Sequence, residues 1–184
     1  MSKKVLVPLA QGCEELEAVT IIDLLRRAEI TVVTAGLDAG PVRASRGTRL
    51  LPDATLDEAL KQDYDMVVLP GGQPGSDNLN RDPRVHALLR KMADNGKFTA
   101  AICAAPSVLA HAGVLKGKRA TSFPGVLEKL GHTGVVLQDQ PVVRDGKVIT
   151  SRGPGTAMDF ALELIETLAG KEKRAQVEAG LQRA

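Results

Sequence analysis

Aromatic side chains are scarce in this sequence of 184 residues, which has three Phe, one Tyr and no Trp. Base-stacking surfaces and aromatic cages are therefore not expected. The 24 Lys and Arg are nearly balanced by 22 Asp and Glu, so the formal net charge is only +2. Such a balance gives no strong signal for binding nucleic acid or an anionic membrane. With few aromatics, the core must be aliphatic, as in a parallel sheet of Val, Ile and Leu covered by Ala- and Leu-rich helices.

Long apolar runs and a cysteine framework are also missing. No run of about 18 apolar residues is present, so no segment is expected to span a bilayer. The N-terminal segment lacks the apolar stretch and cleavage site of a signal peptide. The two cysteines, Cys13 and Cys103, do not indicate a disulfide scaffold. These absences predict a reduced, cytoplasmic protein, and the open question is whether one cysteine is a nucleophile.

Predicted strands and helices alternate along the chain, with no internal repeat and no linker. We predict strands at 4–9, 30–35, 66–69, 98–102 and 119–122, two or three more between 135 and 150, a hairpin over 41–51, and helices at 14–28, 53–60, 83–95, 104–112, 126–130, 158–169 and 171–182. Repeated βα units with short connections imply right-handed crossovers and one doubly wound sheet. Residues 1–184 are therefore expected to form a single α/β domain.

Four loops follow predicted strands and contain Gly, Pro or Cys. They are residues 10–13, 70–76, 103–106 and 151–156. Sheets of this class bind their ligands beyond the carboxyl ends of the strands. We therefore expect the functional site where these four loops meet.

Cys103 ends an apolar strand and is followed by Ala104, Ala105 and Pro106 at the start of a predicted helix. A nucleophile at a strand–turn–helix corner needs small neighbours, because the chain reverses sharply and the nucleophile often has a strained φ. The N–H groups at the start of the helix favour a thiolate, so we expect a lowered pKa for Cys103 and a place for an oxyanion. The alternative is that Cys103 is a small buried hydrophobic residue.

Three acids, Glu14, Glu15 and Glu17, open the first predicted helix. Carboxylates are favourable at the positive N-terminal end of a helix, and this alone explains the presence of Glu14 and Glu15. Glu17 shares a face with Glu14 and falls near the side that packs inward. Burial there would raise the pKa of its carboxyl, which could then donate a hydrogen bond to a thiolate or exchange a proton with a substrate.

Glycines in two of the loops allow close approach of the backbone to a ligand. Gly71 and Gly72 could form an anion-binding nest, although a plain turn explains them equally well. They match neither the P-loop nor the dinucleotide fingerprint. Gly153 and Gly155 lack a third glycine, so they support NAD binding only weakly, and Thr156 either neighbours the site or caps the next helix.

The three histidines are poor candidates for catalysis. His86 and His111 fall within predicted helices, and His132 falls in a predicted surface turn. A triad would need one of them to reach Cys103 through tertiary contact. No spacing of Cys and His indicates a metal site. Cys13 lies at the same predicted sheet edge as Cys103, so it is either a resolving thiol or incidental.

With these residues in hand, the chain resembles the DJ-1/ThiJ/PfpI superfamily, and most closely its DJ-1/YajL-like branch, over nearly its full length. The segments that carry the resemblance are LAQGCEELEAV (9–19), DLLRR (23–27), SRG (45–47), VVLPGG (67–72), AAICAAP (100–106) and TSRGPGT (150–156). Each alone is a weak signal, whereas together they are highly specific.

The resemblance implies a flavodoxin-like three-layer α/β sandwich with a mostly parallel central sheet, and a homodimer. It implies a cysteine nucleophile elbow at Cys103, touched by a protonated carboxyl at Glu17. The backbone of Gly71, Gly72 and Ala104 would then surround the reacting atoms. The resemblance implies no cofactor and no metal.

Members of the family have been assigned cofactor-free conversion of methylglyoxal and glyoxal to hydroxy acids, and removal of early adducts of these aldehydes from protein side chains. We therefore expect a glyoxalase or protein deglycase, a hydrolase or lyase, that protects against carbonyl and oxidative stress. Its partners would be a small aldehyde or glycated protein side chains. One alternative is a redox-sensing chaperone whose elbow cysteine becomes sulfinic acid. Another is plain ligand binding at the glycine loops, with a structural cysteine.

Five further residues are expected to support this site: Glu14, Arg46, Ser151, Arg152 and Phe123. Several family members carry His after the strand that follows the elbow, where this sequence has Phe123. An imidazole base is therefore absent at that position, which argues against a protease-type triad. With no histidine there, Glu17 would have to serve as the only side-chain acid/base.

Overall fold

The computed structural model describes residues 2–131 and 134–183 and has a seven-stranded central sheet. The strands are β1 Lys4–Leu9, β2 Thr31–Gly36, β3 Val42–Arg43, β4 Arg49–Leu50, β5 Ala54–Thr55, β6 Met66–Leu69, β7 Phe98–Ile102, β8 Arg119–Ala120, β9 Val136–Leu137, β10 Val142–Asp145 and β11 Val148–Ser151. The helices are α1 Glu15–Arg27, α2 Leu56–Ala59, α3 Gly75–Arg81, α4 Pro83–Asp94, α5 Pro106–His111, α6 Ala157–Ala169 and α7 Lys171–Gly180. Short 3-10 turns occur at Glu128–Leu130 and Pro154–Thr156.

The strand order of the central sheet is β10-β11-β7-β6-β1-β2-β5. All neighbours from β11 to β5 are parallel, and only β10 is antiparallel, to β11. The chain runs from β1 to β2 and then returns to β6 on the other side of β1. The loops after β1 and β6 therefore diverge, which in α/β proteins creates a crevice for ligands.

Apolar side chains cover both faces of the sheet because alternate residues of each strand point to opposite sides. On one face, Val5 and Val7 of β1 belong to a buried cluster that includes Phe160 of α6. On the other face, Leu6 belongs to a cluster that includes Leu89 of α4. The three-layer, flavodoxin-like sandwich with a mostly parallel sheet is confirmed. Within the described ranges, no helix has both the length and the apolar run needed to cross a bilayer.

Helix α3 lies where the sequence predicts a loop at 70–76 and no element up to residue 82. It spans Gly75–Arg81, and its only buried apolar side chain is Leu79. Gly, Ser, Asp and Asn in its first turns have low helix propensity, and one apolar residue gives no helical period. Tertiary contacts therefore decide this helix.

The predicted helix at 53–60 is shorter and follows a strand. Asp53 accepts hydrogen bonds from the Thr34 N–H and hydroxyl, each at 2.9 Å, and β5 then pairs with β2. Helix α2 begins only at Leu56, after a capping box between Thr55 and Glu58. The prediction missed β5 because two residues carry no strand periodicity.

The segment after β8 also differs from the prediction. The strand ends at Ala120 instead of residue 122, because the Thr121 N–H donates to the Thr150 hydroxyl at 2.9 Å. The Phe123 N–H then donates to the Cys103 carbonyl at 2.8 Å. The helix predicted at 126–130 is reduced to the 3-10 turn Glu128–Leu130. Side-chain and loop hydrogen bonds thus replace regular structure next to the elbow.

Candidate active site

The four predicted loops meet at the carboxyl edge of the sheet. The Glu14 N–H donates to the Gly71 carbonyl at 2.9 Å, which joins the loops after β1 and β6. The Cys103 N–H donates to the Ser151 carbonyl at 3.0 Å, which joins the loops after β7 and β11. The link between the two pairs is Gly71, where a Cβ atom would lie only 2.6 Å from Cβ of Cys103.

Cys103 occupies a left-handed corner between β7 and α5. Its φ is +65°, a conformation that non-glycine residues rarely adopt and that costs about 1–3 kcal/mol. The Ala105 N–H donates to the Ile102 carbonyl at 3.0 Å and closes the turn, after which Pro106 begins α5. Side-chain exposure is low but not zero, since Cys103 retains 9% of its surface. The strained corner agrees with the nucleophile elbow predicted from the sequence.

Glycine is required at both positions that face the elbow. A Cβ atom on Gly71 would lie 2.7 Å from the Ile102 carbonyl oxygen and 2.8 Å from Oε2 of Glu17, in addition to its contact with Cys103. Gly72 has a φ of +90°, and a Cβ atom there would lie 2.4 Å from the Glu14 nitrogen. Contacts this short do not occur for real Cβ atoms, so the loop closes around the elbow only with hydrogen in these places.

Glu17 is completely buried on the inward face of α1, next to the elbow. Its Oε2 accepts a hydrogen bond from the Gly71 N–H at 2.8 Å, while Oε1 has no hydrogen-bond partner among the described residues. Burial raises the pKa of Glu17 to about 7, although the Gly71 N–H and the Cys103 side chain oppose the rise; the charge of Glu14 adds to it. A carboxyl with this pKa exchanges protons readily near neutral pH.

The pKa of Cys103 is raised, and the prediction of a lowered pKa is wrong. Burial is the largest cause; the charge of Glu17 and a hydrogen bond with its carboxylate add to it, and together they raise the pKa of Cys103 to about 12. The backbone N–H groups of Gly72 and Ala104 favour the thiolate, as expected, but they are outweighed. The two causes that come from Glu17 require its negative charge, so protonation of Glu17 removes them and leaves burial as the main cause that raises the pKa of Cys103.

Cys13 is also buried, in the turn after β1. Burial, with the charges of Glu15 and Glu14, raises the pKa of Cys13 to about 12. Both cysteines are free thiols. The two interpretations of Cys13, as a resolving thiol or as an incidental cysteine, stay hypotheses.

The supporting residues predicted from the sequence fall into two groups. Glu14, Ser151 and Phe123 each have a backbone hydrogen bond to the Cys103–Gly71 centre. Arg152 instead pairs with Asp139 and lines a cavity of ≈ 400 Å³ whose lining does not include Cys103. The first group therefore supports the elbow directly, whereas Arg152 has its own carboxylate partner.

Arg46 is placed by a residue whose role the sequence interpretation missed. The carboxylate of Glu15 accepts hydrogen bonds from the Arg46 N–H at 3.0 Å and from the Ser45 hydroxyl at 3.2 Å. Glu15 thus ties the β3–β4 hairpin to the start of α1, in addition to any favourable effect at the helix end. No local signal reveals this contact, because the two partners are 31 residues apart in the sequence.

Neither described histidine is bonded to the elbow. The His86 ring contacts the Asn80 carbonyl and the His111 ring contacts the Ser107 carbonyl, at 2.9 and 2.8 Å. His132 lies outside the described residues. Among the residues that are described, no cluster of three or more His, Cys, Asp or Glu side chains could hold a metal ion.

A larger cavity, of ≈ 550 Å³, lies elsewhere at the same edge of the sheet, between the ends of β1 and β2 and helices α3 and α4. Leu9, Leu37 and Val42 form part of its wall. Its Arg84 side chain is engaged by Asp82 and Asp57, at 2.6 and 2.9 Å. By contrast, the left-handed backbone of Cys103 and the buried carboxyl of Glu17 both lie at the elbow, outside this cavity.

A mostly parallel sheet with helices on both faces, and a cysteine at a left-handed strand–helix corner, defines an α/β protein of the flavodoxin-like class. The chain belongs to the DJ-1/PfpI family, whose model matches residues 3–167.

Among its relatives, protein dj-1beta of Drosophila melanogaster is 48% identical over 182 residues, which cover 98% of this chain and 97% of that protein. The crystal structure of Drosophila melanogaster DJ-1beta has a TM-score of 0.96 and 48% identity, with 100% of both chains covered. The glutathione-independent glyoxalase DJR-1.2 of Caenorhabditis elegans is 37% identical over 172 residues, 94% of this chain and 91% of that protein.

Proposed function

We propose that this protein is a cofactor-free, cysteine-dependent enzyme that converts methylglyoxal or glyoxal to a hydroxy acid, or removes their early adducts from protein side chains. The observation that carries the proposal is the pairing of Cys103, at a strained corner beneath two backbone N–H groups, with Glu17, whose pKa is about 7. Membership in the DJ-1/PfpI family and a relative named as a glyoxalase support it.

The first step forms a bond between sulfur and the aldehyde carbon. The Glu17 carboxylate takes the thiol proton of Cys103, and the sulfur attacks the aldehyde carbon of methylglyoxal. The aldehyde oxygen becomes negative as the bond forms, and the N–H groups of Gly72 and Ala104 are the donors available to it. That oxygen then takes the proton back from Glu17, which gives a neutral hemithioacetal.

The second step moves hydrogen between two neighbouring carbons. Glu17 removes the proton from the carbon bonded to sulfur as the ketone oxygen gains a proton, which gives an enediol. The former ketone carbon then takes the proton back from Glu17, and the hydroxyl on the first carbon gives up its own proton to replace the one gained by the ketone oxygen. The first carbon is thereby oxidised to a thioester and the second is reduced to an alcohol. Water then cleaves the thioester, which releases lactate and restores the Cys103 thiol. Because oxidation and reduction occur within one molecule, the reaction needs no cofactor.

In early adducts the former aldehyde carbon is bonded to the nitrogen or sulfur of a Lys, Arg or Cys side chain. The Cys103 sulfur would displace that atom, which leaves with the proton that Glu17 took from the thiol, and the resulting hemithioacetal would react onward as above. Cys103 retains only 9% of its surface, which favours the small free aldehyde over a bulky protein adduct. Glyoxalase activity is therefore the leading part of the proposal, and deglycation the secondary part.

The proposed enzyme acts as a homodimer. Leu16 and Val19 are half-exposed on α1, and Leu51 is 79% exposed beyond the β3–β4 hairpin, so apolar surface remains uncovered near the site. Light scattering coupled to size exclusion measures the state directly. A cytoplasmic location stays a prediction.

The test is lactate formation from methylglyoxal by the purified protein. Cys103→Ala is expected to reduce the rate about a thousandfold or more, because no nucleophile remains. Glu17→Gln is expected to reduce it about a hundredfold, because the proton carrier is lost. Cys13→Ala serves as the matched control and should stay within about threefold of wild type. A Cys103→Ala variant that works at the wild-type rate rules out the scheme.

A second candidate is a redox sensor in which Cys103 is oxidised to sulfinic acid. The Gly72 and Ala104 N–H groups that favour the thiolate are also suited to sulfinate oxygens. Mild peroxide followed by intact-mass measurement separates the candidates. Addition of two oxygens at Cys103 in a protein that forms no lactate would favour sensing over catalysis.

A further inference from the structure

Three hydrogen bonds join Glu14, Gly71 and Glu17 in a closed ring. The Glu14 N–H donates to the Gly71 carbonyl at 2.9 Å. The Gly71 N–H donates to Oε2 of Glu17 at 2.8 Å. The Glu17 N–H donates to Oε2 of Glu14 at 2.9 Å. Each residue both donates and accepts, so displacement of any one of them disturbs the other two.

From this ring we infer that Glu14 is a positioning residue for the elbow, acting through Glu17 and Gly72 and not through contact with the substrate. This inference rests on the proposed function, which assigns Glu17 as the partner of the Cys103 thiol. The backbone of Glu14 acts on the Gly72 N–H, and the side chain of Glu14 acts on Glu17.

The backbone of Glu14 orients one of the two N–H groups that face the sulfur. The Gly71 carbonyl and the Gly72 N–H belong to the same peptide plane and point in opposite directions. When the Glu14 N–H holds the Gly71 carbonyl, the Gly72 N–H is therefore aimed away from it, at the side where it favours the Cys103 thiolate. Gly72 also has no room for a side chain, since a Cβ atom would meet the Glu14 nitrogen.

The side chain of Glu14 controls where the shared proton resides. The titratable groups that interact with Glu17 are Cys103 at the elbow, Glu14 at the start of the same helix and Cys13 in the turn after β1. No described cation contributes to the pKa of Glu17. The Glu14 charge raises that pKa and is not among the largest causes of the shift at Cys103. It therefore favours a proton on Glu17 and a negative charge on sulfur.

Glu14→Gln separates these effects with little change in shape. The amide oxygen still accepts from the Glu17 N–H, and the backbone N–H is unchanged, so only the charge is lost. Glu14→Asp keeps both the charge and a good helix cap. Glu15→Gln is the matched control, because Glu15 carries the same charge one residue away, binds the hairpin at Arg46, and is not among the groups that shift Glu17.

The experiment measures the rate of Cys103 alkylation by iodoacetamide against pH, in wild type and the three variants. In Glu14→Gln, we expect the rate at pH 7 to fall about threefold to tenfold and the acid side of the profile to move to lower pH. Glu14→Asp should stay within about twofold of wild type. Glu15→Gln should match wild type in both the rate and the position of the profile.

Two results would overturn the inference. One is a folded Glu14→Gln protein, as judged by its thermal melt, with an unchanged profile; the other is an equal shift in Glu15→Gln. The readout does not depend on turnover. A wild type that forms no lactate but shows the expected alkylation pattern would remove the glyoxalase proposal and leave the positioning role of Glu14 in place.

Discussion

Cys13 and Cys103 lie at the same edge of the sheet, and burial is the main cause that raises the pKa of each to about 12. Their surroundings nevertheless differ. At Cys13 the charges of Glu15, Glu14 and Glu17 add to the rise, and its own backbone N–H opposes it. Cys103 has two N–H groups from neighbouring residues, a strained backbone and a carboxyl able to take its proton.

The comparison teaches that a raised pKa does not by itself identify an inert thiol. Cys103 and Glu17 are buried side by side, and in the proposed mechanism the reactivity of the thiol depends on how easily its proton moves to Glu17. At Cys13 the nearby carboxylates of Glu15 and Glu14 repel a thiolate. The three predictions that follow test whether this difference is real.

The largest expected effect is selective alkylation. Iodoacetamide at neutral pH should modify Cys103 about a thousandfold faster than Cys13, because Cys103 retains 9% of its surface and has a proton acceptor, while Cys13 retains 1%. Peptide mass mapping of a time course gives both rates in one sample. Equal rates at the two cysteines would abolish the distinction drawn between them.

The pH dependence of stability should report the buried carboxyl. The pKa of Glu17 is raised from 4.5 to about 7, so its protonated form stabilises the folded state below about pH 4.5, and this contribution is lost as the pH rises through 7. The shift corresponds to about 3 kcal/mol. The free energy of unfolding of wild type minus that of Glu17→Gln should therefore decrease by about this amount between pH 4.5 and 8.

Urea denaturation at a series of pH values measures this difference, and the subtraction removes the titration of the other carboxylates. A difference that stays constant with pH would show that Glu17 titrates at an ordinary pKa in the folded protein, and one that grows as the pH rises would show that its pKa is lowered; either result contradicts the prediction.

The smallest of the three effects concerns the glycine between the two groups. Gly71→Ala should lower the free energy of unfolding by about 2 kcal/mol, because its methyl group would meet Cys103, the Ile102 carbonyl and Glu17. The surviving folded protein should also alkylate more slowly. Gly155→Ala is the control, since no atom lies within 4 Å of the added carbon, and its effect should stay below about 0.5 kcal/mol.

Much of the site could be predicted because its signals are local. The apolar strand ending in Cys103, the small residues after it and the paired glycines at Gly71 and Gly72 lie in short segments that the sequence shows directly. The inward position of Glu17 follows from helical periodicity, since it shares a face with Ile21 and Leu24. These features need no knowledge of distant contacts.

Other features could not be predicted because they depend on pairs far apart in the chain. Helix α3 has almost no apolar pattern of its own. The hydrogen bond from the Arg46 N–H to Glu15 joins two residues that are 31 positions apart in the sequence. The direction of the Cys103 pKa was wrong for the same reason. The local helix start favours a thiolate, whereas burial and the Glu17 charge exist only after α1 has packed beside the elbow.

By itself, the sequence determined the alternation of strands and helices, the edge of the sheet that carries the candidate site, and the choice of the candidate thiol and acid. Those properties come from periodicity and from the steric demands of single residues. The proton balance at the site was decided only by tertiary structure. Electrostatic interaction and loss of water depend on distance in space, and the groups concerned are brought together from helix α1, the loop after β6 and the elbow after β7.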